Sequence, residues 1–373
     1  MKRYIYLPLA MLVITSLFSC EEKDPDNGNI IIVDQDISEP TTWISSKTYV
    51  IEYGVSVNAN LIIEPGTVIK FKSGAWLDFG GYENVTLTAN GTVENPIIFT
   101  SYSSNPAPGA WQGLWFYGNT LSNSSMTYCE IKYAGQDNFP AMNFDTKITF
   151  NNCKITDIKK NGIYSLEGFV AFNGNTIENV GTHAIDIACE AVHTLGSNNS
   201  ITCESGYGIK VRAGNLDGTS ATWKKQTVPY YIDGGIWVDQ DLTIEPGTNL
   251  KFHADAWITF GATNNTTLNA IGTETEQIIF TSAAATPAPG AWAGLFFYTN
   301  TSSNSKMEYC VVEFAGKEND NANITLIDIN GLTIENCIIR KSSGYGIFSW
   351  NSTWNDINNT FEDNALGDIY WNN

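Results

Sequence analysis

Apolar and polar residues alternate along most of this chain in short runs, the period of a β-strand whose successive side chains point to opposite faces. In "LIIEPGTVIKF", which begins at Leu61, the pattern predicts Leu61 and Ile63 inward, a turn at Glu64-Pro65-Gly66-Thr67, and Ile69 and Phe71 inward again. The same string returns as "LTIEPGTNLKF" from Leu242, and "PAPGAWQGLWFYGNT" from Pro106 returns as "PAPGAWAGLFFYTNT" from Pro287, both 181 residues on. The second copy checks the first. Its polar replacements, Thr243 for Ile62 and Asn249 for Val68, fall at outward positions, while Leu242, Ile244, Leu250 and Phe252 keep the inward set apolar. Leu77 and Phe79 match Ile258 and Phe260 in the same phase, and Cys129, Ile131 and Tyr133 match Cys310, Val312 and Phe314.

A shorter repeat lies beneath the long one. Ile155, Ile177 and Ile201 close related strings at steps of 22 and 24, and Gly162-Ile163, Ala184-Ile185 and Gly208-Ile209 advance by the same steps. Copy two continues both series at Ile339 and Phe361 and at Ile347 and Ile369. Each step reads as one coil of about three short strands with Gly or Asn at the bends, stacked so that a coil buries its apolar face only against its neighbours. The predicted fold is all-β: a parallel β-helix, right-handed as parallel crossovers generally are, of about fourteen coils and about 65–70 Å at about 4.8 Å per coil. Asn at the bends can take left-handed geometry and bond to the coil above or below. Copy one is placed at 41–220 and copy two at 221–373, with an extra segment Ala188 to Ser220. No linker composition separates them, so one continuous solenoid is expected.

The N-terminal end reads differently. Lys2 and Arg3 precede an apolar run from Tyr4 to Phe18, too short for a membrane span. Leu17-Phe18-Ser19-Cys20 has the form of a bacterial lipoprotein cleavage box, so residues 1–19 are expected to be a signal peptide and Cys20 the lipidated first residue. An ordinary secretory signal with an incidental cysteine is the alternative. Residues 20–40 open with "EEKDPDNGN" behind Cys20 and are expected to form an acidic tether. The formal charge of −19 excludes a surface that holds nucleic acid by charge, and disfavours unaided capture of polyanions.

Four of the six cysteines after Cys20 occupy matching places, Cys129 with Cys153 and Cys310 with Cys337, one coil apart. Disulfides between adjacent coils are open to an exported protein; a ladder of inward free thiols is the expected state. Zinc spacings are absent and the chain has three histidines, so no metal or cofactor is expected. The acid-rich bend Glu318-Asn319-Asp320 offers oxygens to calcium but reads more simply as hydrated loop.

The strings "LTIEPGTNLKF", "ENPIIFTS", "PGAWQGLWF" and "MTYCEIKYAG" resemble the right-handed parallel β-helix repeats of bacterial cell-surface proteins, notably Bacteroidetes lipoproteins, from about residue 45 to the end. The acidic run behind Cys20 resembles the surface-export signal of those lipoproteins, which implies a lipid-anchored protein on the outer membrane, facing the exterior. More distantly, the resemblance implies the pectate-lyase-like superfamily, which includes lyases, hydrolases and adhesive proteins, and whose enzymes place their site on the outer face of a sheet. The ordered polygalacturonase motifs are missing.

The coil step puts Tyr164, Asp186 and Lys210 in one outward column with Arg212 beside it, and His183, Glu190, His193 and Glu204 on nearby bends. Lys210 and Arg212 can in principle stabilise a uronate and abstract a proton; a solvated Asp186–Lys210 pair is the plainer account. Trp111 and Trp292, like Trp76 and Trp257, recur at the long register and are expected to pack the shell. Trp350, Trp354, Tyr370 and Trp371 have no aromatic counterparts in copy one, so they either cap the open end of the core or present flat faces to sugar rings. The expectation is a non-enzymatic scaffold that binds glycan or another envelope component, such as a surface protein, and touches the membrane only through its lipid. A polysaccharide lyase or glycoside hydrolase at Asp186, Lys210 and Arg212 is the alternative, and a spacer rod a third.

Overall fold

The computed structural model describes residues 29–218, 220–317 and 322–372. It is a parallel β-helix: the chain runs through three short strands per coil, and each strand pairs in parallel with its counterpart one coil away. In one coil Leu61–Ile63 lies in the first sheet, Val68–Phe71 in the second and Trp76–Phe79 in the third. Among the described residues the third-sheet position recurs in thirteen strands, and the isolated bridge of Ile37 to Val57 adds a rung before them, close to the fourteen expected. The first strand, Ile30–Val33, pairs with Thr48–Ile51, so the solenoid starts inside the segment expected to be tether. Val33 packs against the core there, while Ile31 and Ile32 stay exposed. Cys20 and the signal lie outside the described residues.

The inward set is the one the alternation predicts. Leu61, Ile63, Ile69, Phe71, Leu77 and Phe79 are buried, as are Leu242, Ile244, Leu250, Phe252, Ile258 and Phe260. Tyr133 and Phe314 depart from it: both are half-buried, because left-handed backbone (φ 64° and 66°) at that corner turns them aside and delivers Ala134 and Ala315 to the interior. Trp111 stacks on Phe71 and Trp292 on Phe252, each at 3.9 Å between ring centres, and each indole N–H donates to a backbone carbonyl, Lys132 or Glu313. Trp76 and Trp257 are half-buried; each lies flat across a glycine of the preceding coil, where a Cβ on Gly54 or Gly235 would sit 2.0 or 2.2 Å from the indole.

Corners are closed by side chains that take over the ladder's hydrogen bonds. Asn175, fully buried, accepts from the Cys153 N–H at 2.9 Å and donates to the Phe150 carbonyl at 2.9 Å, while Asn199 accepts from the Asn175 N–H at 3.0 Å. The six described cysteines are free. Cys129 and Cys310 donate their thiols to the carbonyls of Ala89 and Ala270, both at 3.3 Å, and their backbone N–H groups point to the sulfurs of Cys153 and Cys337. Burial pushes the Cys129 and Cys310 thiols well above the ordinary range, so they behave as small core donors rather than nucleophiles.

Between the copies the strands lengthen. Ile209–Leu216 and Tyr230–Val238 pair along their lengths, with a register shift between Arg212 and Gly214. The first half of the latter strand pairs onward with Asn249–Phe252 and its second half with Trp257–Phe260. The third sheet of copy one therefore runs on into the second sheet of copy two, and copy two's third sheet starts fresh around the corner. Gly234, at φ 110° and with Ala213 packed beside it, makes that corner.

Asn175→Ala orphans the Cys153 N–H and the Phe150 carbonyl in a dry interior, and should cost about 1–3 kcal/mol for each group. Urea denaturation checks this. The exposed Asn173→Ala should stay within about 0.5 kcal/mol of the parent; equal effects at both sites would remove the structural role assigned to Asn175.

Candidate functional site

Ile185 and Ile187 point inward and are fully buried, so Asp186 between them faces out. Parallel pairing stacks outward side chains rung on rung: Trp115, Asn143, Tyr164 and Asp186, then Lys210, Tyr231 and Lys251. A second line carries Ala188, Arg212 and Asp233. The column Tyr164–Asp186–Lys210, with Arg212 at its side, is thus formed as the coil step predicts.

The expected Asp186–Lys210 pair is present, but it is the looser of two contacts that Asp186 makes with cations. Arg212 donates to Asp186 at 2.5 Å and to the Ser165 carbonyl at 2.6 Å, and its guanidinium lies 4.3 Å over the Tyr164 ring. Lys210 stands 3.8 Å from Asp186 but 2.8 Å from Asp233. The planar fork of Arg212 can serve three partners at once from the neighbouring line, whereas the point charge of Lys210 goes to the more open carboxylate. Asp186 is 8% exposed, so its charge is carried by Arg212 rather than by water. The hydrogen bond to Asp233 raises the Lys210 pKa, and the same bond from Lys210 lowers that of Asp233.

Two clefts open along this face. One, about 520 Å³, is polar; its wall includes His183, Asp186, Lys210, Asp233 and His253, with Tyr207 and Lys160 at its margin. The His183 ring meets Tyr207 and Tyr231 edge-on at 5.2 and 5.5 Å. Burial pushes the His183 pKa down, against the pull of Asp186, which favours the neutral ring. The other cleft, about 460 Å³, is aromatic: Trp115, Tyr117, Phe139 and Tyr164 with Pro140 and Asn143. Phe139 tilts toward Trp115 at 5.4 Å and Trp115 toward Trp76 at 5.3 Å. Tyr164 and Asp186, on adjacent rungs, join the two clefts.

Chemically, the charged groups of this cluster are paired rather than free. Proton abstraction by Lys210 needs a neutral amine, and the salt link to Asp233 favours the ammonium instead. Arg212 is held by Asp186, Ser165 and Tyr164. Of the predicted neighbours, His183 alone joins the cleft. Glu190 and His193 lie on the short 3₁₀ turn Cys189–Thr194, where His193 bonds to the Glu190 carbonyl at 2.7 Å; Glu204 lines a separate cleft with Cys203 and Lys159. Trp115, Phe139, Asp233 and His253 were missed by the sequence reading. One more coil step from Arg212 reaches Asp233, so that signal was present; Phe139 arrives from a bend, which no periodicity reports.

The end cluster divides. Trp354 and Trp371 stack at 5.5 Å, and Trp354 packs against the core, which closes the last coil. Tyr370 stacks on Phe348 at 5.0 Å on the outer side of a sheet, and Trp350 stands apart at the rim, exposed. The bend Glu318-Asn319-Asp320 lies outside the described residues.

Two outcomes follow from this geometry. Asp186→Ala leaves the Arg212 charge half-buried and unpaired and should cost about 3 kcal/mol, while Lys210→Ala should cost no more than about 1 kcal/mol; thermal denaturation ranks them. His183, with its folded pKa below the unfolded value, contributes stability that is complete above about pH 6.5 and is lost as pH falls through the folded pKa. His183→Gln should flatten that part of the stability–pH curve, and an NMR titration of the ring that ends at the ordinary value would contradict the assignment.

Residues 35–139 and 214–329 match the family described as pectate-lyase like beta helix domain, more than half of the chain. The two matches fall one on each copy, covering part of it, and leave Tyr164, Asp186, Lys210 and Arg212 of copy one outside them, so the likeness speaks for the scaffold and not for the charged cluster. No curated protein and no solved structure matches the chain. With parallel sheets throughout and a repeat that the family match covers twice, the chain belongs to the pectate-lyase like beta helix domain family.

Proposed function

We propose that this protein is a lipid-anchored, surface-displayed scaffold that binds glycan in the outer groove of copy one, without catalytic turnover. The observation that carries the reading is the junction of an aromatic cleft with a polar one on adjacent rungs. Rings of the aromatic cleft such as Trp115 and Phe139 suit the apolar faces of sugar rings, and the polar cleft offers donors and acceptors for hydroxyl groups at low ordering cost. The chemistry of Lys210 and Arg212, both tied to carboxylates, supports binding over proton transfer. Anchoring rests on Leu17-Phe18-Ser19-Cys20 and the acidic run behind it.

The full chain in detergent micelles, screened on a glycan array and then titrated calorimetrically, tests this. Trp115→Ala should weaken binding about tenfold, equivalent to about 1.4 kcal/mol. Neutral and uronate-containing glycans incubated with the protein should be recovered intact. Cleavage that disappears in Lys210→Ala would replace this reading with the enzymatic one, and silence across the array would leave a spacer.

A further inference from the structure

The third sheet of copy two, around the corner from the groove, carries a different outer face on the same core. Pairing stacks Trp237, Thr259, Phe296, Thr325, Phe348 and Tyr370 outward on six successive rungs. Their counterparts in copy one are Ser56, Asp78, Trp115, Asn143, Tyr164 and Asp186. The core beneath is kept: Ile258 and Phe260 replace Leu77 and Phe79, and Trp257 lies across Gly235 as Trp76 lies across Gly54. Outside, both carboxylates have become neutral side chains, and the first rung has gained a tryptophan. The two faces have diverged where packing does not constrain them.

The first three aromatic residues fall on alternate rungs, and Tyr370 follows Phe348 on the next. Trp237, Phe296 and Phe348 are separated by Thr259 and Thr325, which are 5% and 1% exposed although they face outward. Two rungs are about 9.6 Å, and the six rungs span about 24 Å. Trp237 is exposed and its edge meets Trp257 at 5.5 Å; Phe348 and Tyr370 stack within 5.0 Å at the far end.

We propose that this stripe is a second binding surface, for an extended neutral polysaccharide laid along the axis of the solenoid. Its length calls for a polymer. Its interval matches a chain in which every second ring presents the same face to the wall. The absence of acidic and basic side chains from the column removes any preference for a charged chain, and a protein of formal charge −19 repels a polyanion at long range. Apolar contact with the rings supplies the attraction, Phe348 and Tyr370 offering edges because they stack on each other, and the aromatic groups are held rigid by the sheet, so little is lost in ordering them. This surface stands independently of the copy-one groove.

Affinity electrophoresis of the full chain in detergent micelles, through gels holding hydroxyethyl cellulose, galactomannan or polygalacturonate, tests it. The neutral polymers should retard the protein and polygalacturonate should not. Trp237→Ala and Phe348→Ala should each weaken retardation about tenfold, and Phe348→Leu, which keeps apolar bulk and an unchanged melting temperature, should weaken it too. On a Trp115→Ala background, where the copy-one groove is disabled, Phe348→Leu should still weaken retardation. Retardation abolished by Trp115→Ala but untouched by Phe348→Leu would overturn the stripe while leaving the copy-one groove standing. No retardation by either neutral polymer, equal retardation by polygalacturonate, a dimer broken by Phe348→Leu, or capture by phosphatidylcholine vesicles through the same residues would each refute it.

Discussion

A three-strand coil has no partner for its backbone and no cover for its apolar side chains except the next coil. That dependence is the constraint on which everything else in this molecule rests. It forces parallel pairing at every rung, lines Ile155, Ile177 and Ile201 up along the interior, and makes the corners the costly places, since there the backbone leaves the ladder. The corners are met by Asn175 and Asn199, by thiols that donate to carbonyls, and by left-handed residues. Polar groups in this core thus complete the ladder.

The same constraint leaves the outer faces free, and the two copies use that freedom in opposite directions. Copy one places an acid, Asp186, almost out of water and must hold its charge with Arg212, which in turn is braced by Tyr164 and the Ser165 carbonyl. Copy two, at the matching rung, places Tyr370 against Phe348 and needs no counter-charge. The corner at Gly234 then turns these faces away from each other, because the third sheet of copy one continues as the second sheet of copy two. A duplication that would have made one long uniform wall instead makes two walls of different chemistry on one rod.

Electrostatics sets the protonation states of the charged cluster. Lys210 and Asp233 each favour the other's charged form, and His183 is kept toward its neutral form by burial. Lys210 therefore gives up its proton reluctantly, and Asp233 and His183 take one up reluctantly. Clefts of a few hundred Å³ beside Trp115 and Tyr164 add flat apolar surface to that polar wall.

How much of this was readable from residue order alone follows from what period reports. Alternation assigned Leu61, Ile63, Phe71 and their partners to the interior, and the step of 22 to 24 placed Tyr164, Asp186 and Lys210 in one column, because strand period and coil length are properties of the local chain. The partner of Asp186 was not readable: Arg212 and Lys210 sit on the same strand, and the choice between them depends on side-chain reach and on the presence of Asp233 one rung further. Nor was the fate of Trp350, Trp354, Tyr370 and Trp371, which divides among core end, sheet face and rim according to which neighbours remain to be covered. Residue order by itself determined the solenoid, its period and its duplication, since those need only the repeat of apolar positions. Tertiary structure alone decided which charges pair, where Phe139 closes a cleft and how the corner at Gly234 reorients copy two, because each depends on distances between coils that no linear spacing encodes.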